Sequence, residues 1–86
     1  MPITPTWFTQ RQLKMEEVDS HRLRVFGPNF RDIFVGIRPT NENNLYEGYL
    51  KSEPEGEDQA TTGLTFASEI NAWEAAFELL RGKVVL

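Results

Sequence analysis

The chain has 86 residues, 40% of them hydrophobic and 12% aromatic, with 26% charged. That is too apolar for a disordered chain and enough for one core, since a chain this short buries only about 60% of its unfolded surface. Without cysteine, disulfide staples, thiolate nucleophiles and thiolate zinc sites are all excluded, which fits a reducing compartment. The net charge of -4 hides an asymmetry. Residues 1–38 carry six basic and four acidic side chains, whereas residues 39–86 carry three basic and nine acidic ones. The two halves are therefore expected to face different partners.

Residues 1–6 are expected to be flexible, and the opening MPITPTWFTQRQ reads as neither a leader nor a membrane segment. No stretch approaches the roughly 20 apolar residues of a membrane helix. The expectation is a soluble, cytoplasmic protein with one domain over residues 1–86. A long first strand is predicted within residues 7–17. Residues 21–26 (HRLRVF) and 32–38 (DIFVGIR) alternate like half-buried strands, joined by the turn residues Gly27, Pro28 and Asn29. Leu23 and Val25 then share one face with Ile33, Val35 and Ile37, leaving Arg22, Arg24, Phe26, Phe34 and Arg38 on the other. After the turn cluster PTNENN, residues 45–51 (LYEGYLK) give another strand. Residues 52–61 (SEPEGEDQAT) have the composition of a solvated acidic loop, and residues 62–66 (TGLTF) give a further strand.

The best-supported element is a C-terminal helix capped by Ser68, with Ile70, Trp73, Phe77 and Leu80 spaced three, four and three apart. Gly82 is placed as its C-cap, with Arg81 in the last turn, and the KVVL tail beyond is expected to add an edge strand or meet a partner. The fold class is therefore α+β: a four- or five-stranded antiparallel meander followed by one amphipathic helix. The stripe of Ile70, Trp73, Phe77 and Leu80, extended by Val84, looks more apolar than one small sheet covers. A helix-packed homodimer is expected on that ground.

No catalytic apparatus is expected. The single histidine, His21, opens a strand rather than a pocket, and the acids of residues 53–58 lack the spacing of a calcium loop, so no metal or cofactor is expected. What stands out is the outward sheet face. Arginines interleaved with rings are the chemistry of single-strand binding, in which guanidinium groups track phosphates and exposed rings stack on bases. The alternative is a solvated face whose arginines pair with acids on adjacent strands.

The order of elements also resembles the β4-α single-stranded-DNA-binding domain of the coactivator positive cofactor four, its small bacterial and phage relatives, and the Whirly proteins. The resemblance rests on Gly63, Leu64, Thr65 and Phe66 before a helix bearing Trp73, and on Val35, Gly36, Ile37 and Arg38 upstream. It spans roughly residues 22–80. It implies a dimeric regulator of transcription or genome maintenance that binds single-stranded DNA or RNA. Arg22, Arg24 and Arg38 would contact phosphates, and Phe34 or Tyr46 would stack. One departure is the acidic EPEGEDQATT where that family commonly has lysines. The competing expectation is a protein-interaction module, such as an inhibitor, adaptor or small assembly subunit, that uses the acidic segment and the C-terminal helix.

Overall fold

A computed structural model describes residues 4–28, 30–41, 44–53 and 55–84, apart from the side chains of Phe30 and Val84. A short helix α1, Thr6–Gln10, leads into strands β1 (Lys14–Asp19), β2 (Arg22–Gly27), β3 (Phe30–Pro39), β4 (Tyr46–Lys51) and β5 (Asp58–Thr61). The C-terminal helix α2, Glu69–Val84, follows. The strands form one antiparallel sheet in the order β1-β2-β3-β4-β5. The expected α+β architecture of a meander and a C-terminal helix is therefore present.

Three elements differ from the sequence expectation. The long first strand is instead α1 followed by β1: Pro5 opens the helical turn, and Gln12, at φ 60°, reverses the chain into the strand. The fifth strand is drawn from the acidic segment. Ala60 packs against the core and Asp58 pairs with Arg38, which offsets the poor strand propensity of that stretch. The TGLTF stretch is not a strand, because Gly63 takes a positive φ of 72° and only Phe66 bridges back to Tyr46, through two 2.8 Å hydrogen bonds. β1 and β5 form the two free edges of the sheet.

Alternation divides the sheet as its register requires. Leu23, Val25, Ile33, Val35, Ile37 and Leu50 face α2 in a single core with Ala72, Trp73, Ala76, Phe77 and Leu80. α2 lies over β3 and β4 and touches β5. Phe8 and Leu13 join the same core, with the Phe8 ring edge-on to Phe77 at 6.0 Å between centroids.

Trp73, Phe77 and Leu80 are 6%, 3% and 0% exposed, so the chain's own sheet and α1 cover the stripe that was expected to need a second helix. That removes the ground for placing these three residues in a dimer interface. Of the stripe, Ile70 alone is exposed among the residues whose side chains are described. The Val84 side chain lies outside the described residues, as do Val85 and Leu86 of the tail, while the helix runs on through Gly82 and Lys83 instead of stopping at the glycine. Ser68 does cap α2, its Oγ accepting a hydrogen bond from the Asn71 amide at 3.4 Å.

The closest approach of helix and sheet falls at Gly48. A Cβ there would lie 2.8 Å from the Ala76 Cβ and 2.9 Å from the Thr62 Cγ2. Gly82 has open space around it. Replacing Gly48 with alanine should cost about 1–3 kcal/mol through overpacking, whereas Gly82→Ala should add about 0.5–1 kcal/mol of helix propensity. Urea denaturation of the two variants measures both, and a Gly48→Ala protein as stable as the parent would show that the contact is not tight.

Candidate functional site

Two surfaces could carry function. The first is the sheet face away from α2. Arg22 and Arg24 on β2 point there with Arg38 on β3, as alternation predicted. Each guanidinium is held by neighbours. Arg24 donates to Asp32 on β3 (Nη1 to Oδ2, 2.6 Å) and to Glu16 on β1 (Nη2 to Oε2, 3.2 Å), and its guanidinium lies 4.9 Å from the Phe26 ring centre. Arg38 donates to Glu47 on β4 (Nε to Oε1, 2.9 Å) and to Asp58 on β5. Arg22 Nε donates to the Tyr49 hydroxyl at 3.1 Å.

These contacts stabilise the charged forms. The hydrogen bond that Arg22 donates to Tyr49 raises the Arg22 pKa above its usual value, and the one that Arg38 donates to Asp58 raises that of Arg38, in both cases against the opposing effect of burial. Both arginines stay charged throughout any working pH.

The rings are no more available than the guanidinium groups. Phe34 is on this face but only 8% exposed. Tyr46 lies on the opposite face, beside the core, with its ring 6.2 Å from that of His21. It therefore does not share a face with Arg22, Arg24 and Arg38, the arginines beside which the resemblance implied it would stack. The ring at the centre of the outer face is Tyr49, which sequence reasoning passed over. It is 3% exposed, lies opposite Gly36 in the register, and sits 4.5 Å beneath the Arg38 guanidinium. A Cβ on Gly36 would come within 2.6 Å of the Tyr49 hydroxyl oxygen, so the glycine makes room for the ring to reach Arg22. The alternation of YEGYLK against DIFVGIR carried that signal. The face is thus a layer of cross-strand ion pairs closed over buried rings.

The second surface is a groove of about 1010 Å³ along α2. Its apolar lining comes from Pro5, Phe66, Ile70, Trp73 and Phe77, and its charged lining from Glu69, Glu74 and Glu78. Among the described residues, no lysine or arginine lines it. Ile70, at 70% exposure, stands in it as a large apolar side chain in contact with water. The β1-β2 turn borders the groove through Ser20 and is fastened to the start of α2 by His21, whose Nε2 lies 2.9 Å from Glu69 Oε1. The Asp19 carboxylate shapes that turn by accepting the His21 amide at 2.8 Å.

No known protein family, curated protein or solved structure matches this chain. Function is therefore argued from the two surfaces alone. Among the described residues, no helix is long and apolar enough to cross a membrane, and no cluster of three histidine or acidic residues is placed to hold a metal ion.

Arg38 joins β3 to β4 and β5, so removing it strands two carboxylates that are themselves about three-quarters buried. Arg38→Met should cost about 1–2 kcal/mol, against less than about 0.5 kcal/mol for Arg31→Met at an exposed position. Chemical denaturation at low and high salt checks both values. The Arg38 effect should shrink with salt, as a surface-linked ion network does.

Proposed function

We propose that the chain is a protein-interaction module, an adaptor, inhibitor or small assembly subunit, that receives its partner along α2. The observation that carries this reading is the contrast between the two surfaces. On the outer sheet face, Arg24 and Arg38 are each ion-paired to two carboxylates, and the central rings are buried. On α2, an exposed isoleucine stands in an open apolar groove. Protein partners bind where apolar side chains can leave water, with a polar rim around them.

A single-stranded nucleic acid on the outer face would have to displace Glu16, Asp32, Glu47 and Asp58 to reach the guanidinium groups of Arg24 and Arg38. It would recover little stacking from rings that are already covered. The counterion release that drives such binding is then largely cancelled, because these carboxylates already neutralise the two arginines. Homodimerisation through the Trp73, Phe77 and Leu80 stripe is likewise unsupported, since those side chains are used inside the chain.

Two measurements test the reading. Immobilised protein should recover a stoichiometric protein partner from nuclease-treated extract of the native host, and the Ile70→Asp variant, folded by circular dichroism, should lose it. In parallel, a labelled single-stranded oligonucleotide at low salt should show no binding up to about 100 µM, the weak end of nonspecific affinity. Binding below about 10 µM that is abolished by Arg24→Glu would replace the interaction reading with a nucleic-acid one.

A further inference from the structure

We infer that the occupant of the α2 groove is a basic amphipathic helix of another protein. Its apolar stripe would rest on Ile70, the exposed apolar side chain of the groove, and its lysines or arginines would face Glu74, between Glu69 and Glu78. The inference rests on the interaction-module reading and adds the chemistry of the partner.

The shape of the groove selects a helix. Most of its lining comes from α2, whose main-chain donors and acceptors are already spent within the helix, so an extended segment laid along it would leave its own amides unpaired. A helix satisfies its own backbone and needs only side-chain contacts. From Glu69 to Glu78 the wall runs on the order of 14 Å at 1.5 Å per residue, room for two to three turns of a partner helix. Ile70 is the apolar side chain that stands out from that wall, while Trp73 and Phe77 line it with only 6% and 3% of their surface exposed.

Charge selects the sign of the partner. Among the described residues, every charged one lining the groove is a glutamate. The nearest cation in sequence, Arg81, lies one turn beyond Glu78 at 3.9 Å, and His21 is engaged by Glu69. A second copy of this chain would bring the same row of glutamates against itself, and like charges brought together across an interface cost affinity. Glu69 and Glu78 already have His21 and Arg81 beside them, so a lysine- or arginine-rich helix meets its strongest complementary potential at Glu74.

The test uses the full chain and a fluorescein-labelled 14-residue helical peptide of leucine and lysine, with leucines at the spacing of one helix face. A matched peptide carries glutamate in place of lysine. By fluorescence anisotropy at about 50 mM salt, the lysine peptide should bind with a dissociation constant of about 10–100 µM, and the glutamate peptide at least tenfold more weakly. Ile70→Ser and Glu74→Lys, both at exposed positions, should each weaken the lysine peptide at least fivefold. A triple Glu53→Gln, Glu55→Gln, Glu57→Gln variant should bind as the parent does.

Three results would overturn the inference: undiminished binding to Glu74→Lys, loss of binding only in the triple variant, or no binding of the lysine peptide below about 1 mM. Sedimentation showing a dimer that Ile70→Ser abolishes would make the occupant a second copy, which also overturns it. If the peptide fails while the Ile70-dependent partner is still captured from extract, the basic-helix chemistry falls and the interaction reading survives. If the captured partner is also lost, both fall.

Discussion

The contact on which the rest of this structure depends is the seating of α2 on β4, where Gly48 meets Ala76 without a side chain between them. Ala72 and Ala76, both fully buried, let the helix settle close to the sheet. That depth fixes the heights of Trp73 and Phe77 on one flank and turns Leu80 fully into the core. Phe77 then presents its ring to Phe8, which draws α1 in beside the helix. Each large side chain buried in this way contributes roughly 1.5–3 kcal/mol, so a bulkier residue at Gly48 would lift not one contact but a connected set of them. Ile70 belongs to the same apolar row yet lies one turn nearer the helix N-terminus, past the edge of the covered surface. The open groove is thus a by-product of where the helix can sit.

The sheet has a matching division of labour. Its inner side chains are largely aliphatic and carry the packing, while its outer side chains include arginines set beside carboxylates of other strands. Arg24 on β2 finds a carboxylate on each flanking strand, Glu16 on β1 and Asp32 on β3, whereas Arg38 on β3 reaches to one side only, to Glu47 on β4 and Asp58 on β5. The glycine at position 36 makes room for Tyr49 to reach Arg22 while its ring lies beneath Arg38. A surface of this kind holds five strands in register and rigidifies the platform under α2. Arg24 and Arg38 there are each engaged by two carboxylates.

Much of this was legible in the residues. Leucine, valine and isoleucine at every second position marked β2 and β3 and the face each buries, and the spacing of Ile70, Trp73, Phe77 and Leu80 marked α2. What escaped was decided by single residues in unexpected conformations or by distant partners. Gln12 occupies a left-handed conformation usually left to glycine or asparagine, so nothing local announced the break between α1 and β1. β5 hid in an acidic stretch because its stability comes from Arg38, twenty residues away, and from Ala60 beneath the helix. Trp73, Phe77 and Leu80 are covered within the chain because Phe8 reaches them from α1, a helix that the residue pattern of 7–17 does not announce. At the candidate site the arginines were placed correctly, but a list of cations says nothing about which carboxylates the register will set beside them. Tyr46 and Tyr49 lie three apart in one strand and so point to opposite faces, and only the pairing with β3 says which of them accompanies the arginines.

The two free edges of the sheet have a consequence for crowded solutions. β1 carries Glu16, Glu17 and Asp19 and is bulged between the last two, and β5 is four residues long and begins at Asp58. Exposed strand edges invite further strands to add on, and charge, brevity and bulges are the means of discouraging it. Because both edges here bear the same sign, a chain that meets another of its kind edge to edge encounters repulsion before any backbone hydrogen bond can form. The fold can therefore keep an apolar groove open on one side without its sheet becoming a template for fibrous growth.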